Sequence, residues 1–142
     1  MGNGASIGMR NLIRDQRGTA VIELAIVAPL LLMILTGITA YGGYFWMAHS
    51  IQQAANDGAR ASLAGLTSGE RSTLATSTVS SELARINGIS PANAATTVED
   101  DGTTLSVSVR YDASSSNFLR LSIMPLPNRL ISRSAVVRLG GL

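Results

Sequence analysis

An uncharged segment near the N-terminus constrains this chain more than any other feature of its sequence. From Leu24 to Met47 no side chain carries a charge, and Leu, Ile, Val, Ala and Met dominate. A helix needs about 20 apolar residues to cross a bilayer, so the segment is long enough to do so. An aromatic cluster near its far end is typical of a membrane interface. The cluster consists of Tyr41, Tyr44, Phe45 and Trp46. The sequence therefore predicts a transmembrane helix over about 24–47.

Two other interpretations of this segment are weaker. A buried core helix of this length would need more surrounding protein than a chain of 142 residues provides. A cleaved secretory signal has an apolar core of about 7–15 residues, followed closely by a small-x-small site. The nearest such triplet, Ala59-Arg60-Ala61, lies well beyond Met47 and within a continuing helical pattern. We therefore interpret the segment as an anchor that stays in the chain.

Basic residues are concentrated on one side of this anchor. Arg10, Arg14 and Arg17 precede it with one acid, Asp15, and they account for the whole net charge of +2. The positive-inside rule then predicts a cytoplasmic N-terminus, with the residues after about 48 on the other side. The pI of 9.7 thus reflects a short basic leader, and nucleic acid is not expected as a partner.

Helical spacing of apolar residues continues beyond the anchor. It predicts one long N-terminal helix over about 19–66. The stripe consists of Ile51, Ala55, Ala59, Leu63 and Leu66. Thr67 and Glu70 then have the spacing of a capping box, which predicts a second helix ending near Asn87-Gly88. Its apolar stripe consists of Leu74, Val79, Leu83 and Ile86.

After Pro91 the apolar period changes from helical to two. Leu105, Val107, Val109 and Tyr111 alternate with polar residues. Asp101-Gly102 precedes them and predicts a hairpin turn, and a final strand is expected over Ser134–Leu139. The fold class predicted is α+β: a long N-terminal helix that extends into a small domain, 67–142, with a second helix and about three antiparallel strands.

A glycine and a carboxylate mark the entrance to the anchor. Arg17-Gly18-Thr19 is followed by Glu23, the one charged residue between Gly18 and Asp57. A charged side chain costs about 2.5–3.5 kcal/mol at the bilayer centre and less near an interface, so Glu23 is a functional candidate. A Glu that only reaches back to the interface is the simpler alternative. Because Gly has no side chain, the backbone at Gly18 is accessible to a peptidase.

These residues resemble the site that prepilin peptidases read in the type IV pilin superfamily. Residues 14–66 are similar to TadE-like pseudopilins, the minor pilins of the tight-adherence, or Flp, pilus system. The similar stretches are Ala28-Pro29-Leu30-Leu31-Leu32, Gln52-Gln53-Ala54-Ala55 and Gly58-Ala59-Arg60-Ala61. The resemblance implies a pilin-like fold and removal of the leader, residues 1–18, by a cut between Gly18 and Thr19. Leu24 stands where major Flp pilins usually carry Tyr, which favours a minor subunit.

The resemblance also implies partners and a location. The partners are a prepilin peptidase, other pilin and pseudopilin subunits, and an inner-membrane pilus assembly platform. The chain would be a single-pass protein of the bacterial inner membrane with its C-terminal domain in the periplasm, or in the pilus. After the cut, the Thr19 α-amine would meet Glu23 of a neighbouring subunit, so that Glu23 sets the register of the helices.

Small residues four positions apart provide a second candidate assembly feature. Thr36/Ala40 and Thr39/Gly43 let helices approach closely, although Ala and Gly are simply abundant here. Catalysis has little support, since no Gly-x-Ser-x-Gly or Gly-rich phosphate loop occurs and His49 is the one His. No cofactor or metal is expected. The rival interpretation is a monomeric, membrane-tethered binding module.

Overall fold

The computed structural model describes residues 16–116 and 128–140, with side chains from residue 18 onward. The elements are α1 (Gln16–Ser62), α2 (Ser68–Arg85), a 3-10 turn (Pro91–Asn93), β1 (Ala94–Asp100), β2 (Thr104–Asp112) and β3 (Leu130–Arg138). The α+β class predicted from the sequence is confirmed. The chain divides into two units, residues up to Leu35 and residues from Thr36 onward, and each is described by itself.

α1 ends at Ser62, four residues before the predicted end at 66. The last turn tightens through i to i+3 bonds, such as that from the Gly65 amide to the Ser62 carbonyl at 3.0 Å. A Cβ on Gly65 would lie 2.7 Å from the Arg71 amide nitrogen, so α2 begins directly against the turn. Leu63 and Leu66, which the sequence placed in the buried stripe, are therefore 52% and 89% exposed.

The capping box that begins α2 is confirmed. The Thr67 hydroxyl accepts from the Glu70 amide at 3.2 Å, and the Glu70 carboxylate accepts from the Leu66 and Thr67 amides at 2.9 and 3.2 Å. These two backbone amides lower the pKa of Glu70. The buried stripe of α2 consists of Ala75, Val79 and Leu83. The stripe predicted from the sequence was wrong at its first position, since Leu74 is 36% exposed.

The three strands form one antiparallel sheet in the order β1-β2-β3. The predicted turn at Asp101-Gly102 joins β1 and β2, and Gly102 has a φ of +83° that suits glycine. β3 begins at Leu130, four residues before the predicted start at Ser134. The predicted inward residues of β2 are all buried: Leu105, Val107, Val109 and Tyr111.

The core of the second unit lies between the C-terminal half of α1, α2 and one face of the sheet. α1 contributes a buried stripe at helical spacing that includes Met47, Ile51, Ala55 and Ala59. A Cβ on Gly58 would lie 2.6 Å from Val79 Cγ2 and 3.0 Å from the Ala75 carbonyl oxygen. The two helices therefore approach closely because this position has no side chain.

Candidate functional site

The predicted processing site lies near the N-terminal end of the described part of α1. Gly18 and Thr19 are both exposed. Because Gly18 has no side chain, nothing on that residue covers the Gly18–Thr19 bond, and a peptidase could approach it from the surface of the helix. The cut itself stays a prediction.

Glu23 is exposed and surrounded by exposed apolar side chains. Val21, Ile22 and Leu24 are 64–66% exposed. Among the residues that the structure describes, Glu23 makes no hydrogen bond or ion pair. Thr19 lies four positions earlier, on the same face of the helix. An α-amine created at Thr19 would thus be one turn from Glu23 of its own chain, and pairing between subunits would compete with pairing within one.

The apolar part of α1 has the exposure expected of a membrane anchor. Its large apolar side chains from Val21 to Leu35 are 49–70% exposed. Within the described part of the chain, α1 is the one helix long and apolar enough to cross a membrane, with a mean hydropathy of 2.5 and none of that window buried. A core helix of a soluble protein would be mostly buried, so this alternative is not supported. A cleaved signal sequence is disfavoured by length, because the apolar segment is longer than the roughly 7–15 residues of a signal peptide's apolar core.

The small-residue pairs predicted for helix packing differ in exposure. Ala40 is 2% exposed and Thr36 is half-buried, so the Thr36/Ala40 pair is already covered by its own chain. Thr39 is exposed and Gly43 half-buried. A role for either pair between subunits stays a prediction. The pair Ala54/Gly58, by contrast, lies in the α1–α2 contact within the chain.

The leader Arg residues fall largely outside the described structure. Arg10 and Arg14 lie outside the described residues, and Arg17 is described only by its place in α1. Their effect on topology therefore stays a prediction. His49 is exposed, and no cluster of three or more potential metal ligands occurs within residues 16–116 and 128–140.

The acidic turn before β2 is occupied by contacts within the chain. Arg71 Nε donates to Asp100 Oδ2 at 2.7 Å, with the two side chains 17% and 7% exposed. Asp101 accepts from the Thr103 and Thr104 amides at 2.8 and 2.6 Å. These amides, that of Thr104 first, lower the pKa of Asp101 to about 2. The turn therefore fixes the hairpin and ties it to α2. Nothing in the spacing of the sequence indicated the Arg71–Asp100 pair.

A small cavity of about 380 Å³ lies beside the end of β2. It is lined by Gly88, Ile89, Ser90, Asn93, Tyr111, Ser115 and Ser116. Its polar groups bond largely to one another: the Ser90 amide donates to the Tyr111 hydroxyl at 3.3 Å, and the Asn93 amide group donates to Ser115 at 3.0 Å. These two hydrogen bonds tie the turn around Ser90 to the end of β2 and the residues after it.

One comparison with known proteins gives a match, and it lies within α1. Residues 18–60 match the family model described as TadE-like protein. The match confirms the resemblance drawn from the sequence, and it includes neither α2 nor the sheet. Searches of curated proteins and of solved structures gave no significant match.

Proposed function

We propose that the chain is a minor pilin of the tight-adherence pilus system, a role supported by the match of residues 18–60 to the TadE-like family model. In this role it is a structural subunit, not an enzyme, needed to assemble an Flp-type pilus and to attach cells to surfaces. A single membrane-spanning helix holds it in the inner membrane before assembly. The leader stays in the cytoplasm and the domain after α1 faces the periplasm.

The observation that carries this proposal is the isolated carboxylate on the apolar surface of α1. Glu23 is exposed, and its neighbours Val21, Ile22 and Leu24 are apolar and also exposed. An ionised group near hydrocarbon needs a partner of opposite charge. A cut at Gly18 supplies such a partner, because it creates a positive α-amine at Thr19. Processing and assembly are then linked: an uncut subunit lacks the cation that its neighbour's Glu23 requires.

Three kinds of partner act on the Gly18 and Glu23 region in this function. A prepilin peptidase removes residues 1–18, and other pilin and pseudopilin subunits supply the facing helices. The inner-membrane assembly platform draws the processed subunit from the bilayer. The exposed apolar surface from Val21 to Leu35 supports this sequence of events, since it can exchange lipid contacts for helix contacts at little cost in hydrophobic burial.

The proposal is tested by expressing the full chain with a prepilin peptidase and a pilus assembly system. Intact mass should show that the wild-type membrane form begins at Thr19, whereas Gly18→Val should stay uncut. Glu23→Ala should be cut normally, but its incorporation into sheared pili should fall by about tenfold or more, equivalent to ~1.4 kcal/mol. The matched controls are Gly42→Val and Glu99→Ala, which should behave as wild type. Normal incorporation of Glu23→Ala would contradict the role of this carboxylate.

The alternative function is a monomeric tether that presents a binding domain. The cavity beside Tyr111 is the feature that favours it, and no processing is needed in that case. An intact chain that keeps residues 1–18 in the presence of an active peptidase would support the tether over the pilin.

A further inference from the structure

A groove runs between α1 and α2 on the surface of the second unit. Its volume is about 240 Å³. The α1 wall consists of Trp46, Ser50, Gln53, Ala54 and Asp57, and the α2 wall of Glu82 and Ile86. Residues 46, 50, 53 and 57 recur at helical spacing, and 82 and 86 are one turn apart, so each wall is a continuous stripe of its helix. We call this the α1–α2 groove.

The two walls of the groove combine negative charge with apolar surface. Asp57 is half-buried and makes no ion pair among the described residues. Glu82 Oε1 accepts from Arg85 Nη1 at 2.9 Å, but the Arg85 side chain is 74% exposed, so this pair is weak and readily replaced. Trp46, which is 44% exposed, adds an aromatic surface. A long apolar stem that ends in a delocalised cation fits these surfaces, which is the chemistry of arginine.

An arginine with suitable surroundings lies on the other face of the sheet. Arg110 is exposed on the central strand, where its neighbours in register are Ala95 on β1 and Ser132 on β3. Because residues alternate along a strand, Arg110 faces away from the core that Val109 and Tyr111 enter. Its register neighbours have small side chains and are exposed as well, so Arg110 is not covered by larger neighbouring side chains at these positions. It therefore cannot enter the groove of its own chain.

We propose that the α1–α2 groove binds the Arg110 side chain of a second copy of this chain. The guanidinium lies between Asp57 and Glu82, and its stem packs toward Ile86. The two surfaces of this contact are different, so each copy keeps a free groove or a free Arg110 for the next. Such a head-to-tail contact propagates into an open row of subunits or closes into a ring. It involves only residues after Trp46 and stands apart from the pairing of Glu23.

The absence of Cys from the sequence makes this contact testable by disulfide crosslinking of the full chain in membrane vesicles. One copy carries Gln53→Cys in the groove and the other carries Ser108→Cys beside Arg110. The mixture should give a crosslinked heterodimer, each variant alone should give none, and a chain with both substitutions should give a ladder. Crosslinks within single variants that equal those of the mixture would overturn the head-to-tail arrangement, and so would a mixture without crosslinks.

Charge variants test which side chains form the contact. In the cysteine background, Arg110→Ala or Asp57→Asn should lower the crosslink yield by about tenfold, because a close charge pair is lost. Exchanging the charges in one chain, Asp57→Arg with Arg110→Asp, should restore it. Arg138→Ala is the matched control, since Arg138 is also exposed on the sheet. An equal loss in Arg138→Ala, or no recovery on exchange, would overturn the assignment to Arg110. Peptidase cleavage and Glu23 are unaffected by these changes, so the outcome is separable from the proposed function.

Discussion

Both halves of α1 carry apolar side chains, but these side chains have different surroundings. From Val21 to Leu35 the large apolar side chains are 49–70% exposed. From Met47 to Ala59 the buried stripe is 0–3% exposed, because α2 and the sheet cover it. Burial of apolar area contributes about 25 cal/mol per Å², so the second half is stabilised by its own chain. The first half has no such cover among the described residues and depends on lipid or on other subunits.

Side-chain size follows this difference. The first half is rich in Leu, Ile and Val, whose large apolar side chains suit contact with hydrocarbon tails. The second half carries Ala and Gly where it meets α2, so that the helices can approach closely. In the first half, large exposed apolar residues indicate an apolar environment outside the chain. In the second half, small buried residues indicate close packing against α2.

Truncating a leucine that packs in the core with the second half of α1 and a leucine of the exposed first half should give the largest contrast. Leu83 is fully buried against α1, and Leu83→Ala should lower the free energy of unfolding of the second unit by about 2–5 kcal/mol, since it leaves a cavity. Leu31, 52% exposed, is the matched control, and Leu31→Ala should leave that free energy unchanged. Urea titration in detergent can be followed through Trp46, the single Trp, which lines the α1–α2 groove. Equal losses in both variants would show that the halves are not stabilised separately.

Adding a methyl group to two glycines of α1, one packed against α2 and one open, should give a smaller contrast. Gly58→Ala places a Cβ 2.6 Å from Val79 Cγ2, and the forced separation of the helices should cost about 1–3 kcal/mol. Gly42→Ala meets nothing within 4 Å and should cost nothing. Val79→Ala combined with Gly58→Ala should be less destabilising than the sum of the two, as expected for residues in contact. Additive losses, read from the same urea titration, would contradict the close approach at Gly58.

Local patterns predicted most of this fold because they depend on a few neighbouring residues. The capping box at Thr67 and Glu70, the turn at Asp101-Gly102 and the alternation along β2 each follow from backbone geometry. The length of the apolar segment likewise follows from bilayer thickness. Gly18 and Glu23 were identified from the sequence because a glycine and an isolated carboxylate stand out against an apolar background. Their roles between subunits stay predictions, since they depend on a second molecule.

Features that depend on distant parts of the chain were not predicted. The turn after α1 packs against Arg71 at Gly65, and the backbone of Ala75 in α2 lies against Gly58 of α1. The Arg71–Asp100 pair and the α1–α2 groove each join residues far apart in the sequence. No periodicity specifies such contacts, because they are fixed only when helices and sheet pack together.

The smallest expected contrast is in acid: low pH should destabilise the second unit but leave the helicity of the apolar segment unchanged. The Thr104 and Thr103 amides hold the pKa of Asp101 at about 2, below its ordinary value of 3.8, and the Gly102 amide lowers that of Asp100. Since these pKa values are lowered in the folded state, their stabilisation is complete above pH 3.8 and is lost as the pH falls toward 2. The urea midpoint of the second unit should therefore stay constant near neutral pH and decrease below about pH 4.

The segment from Leu24 to Met47 has no carboxylate, so its helicity, measured by circular dichroism in detergent, should not change. Asp101→Ala should make the acid slope shallower than in the wild type. An unchanged slope in Asp101→Ala would assign the acid sensitivity to other carboxylates of the unit.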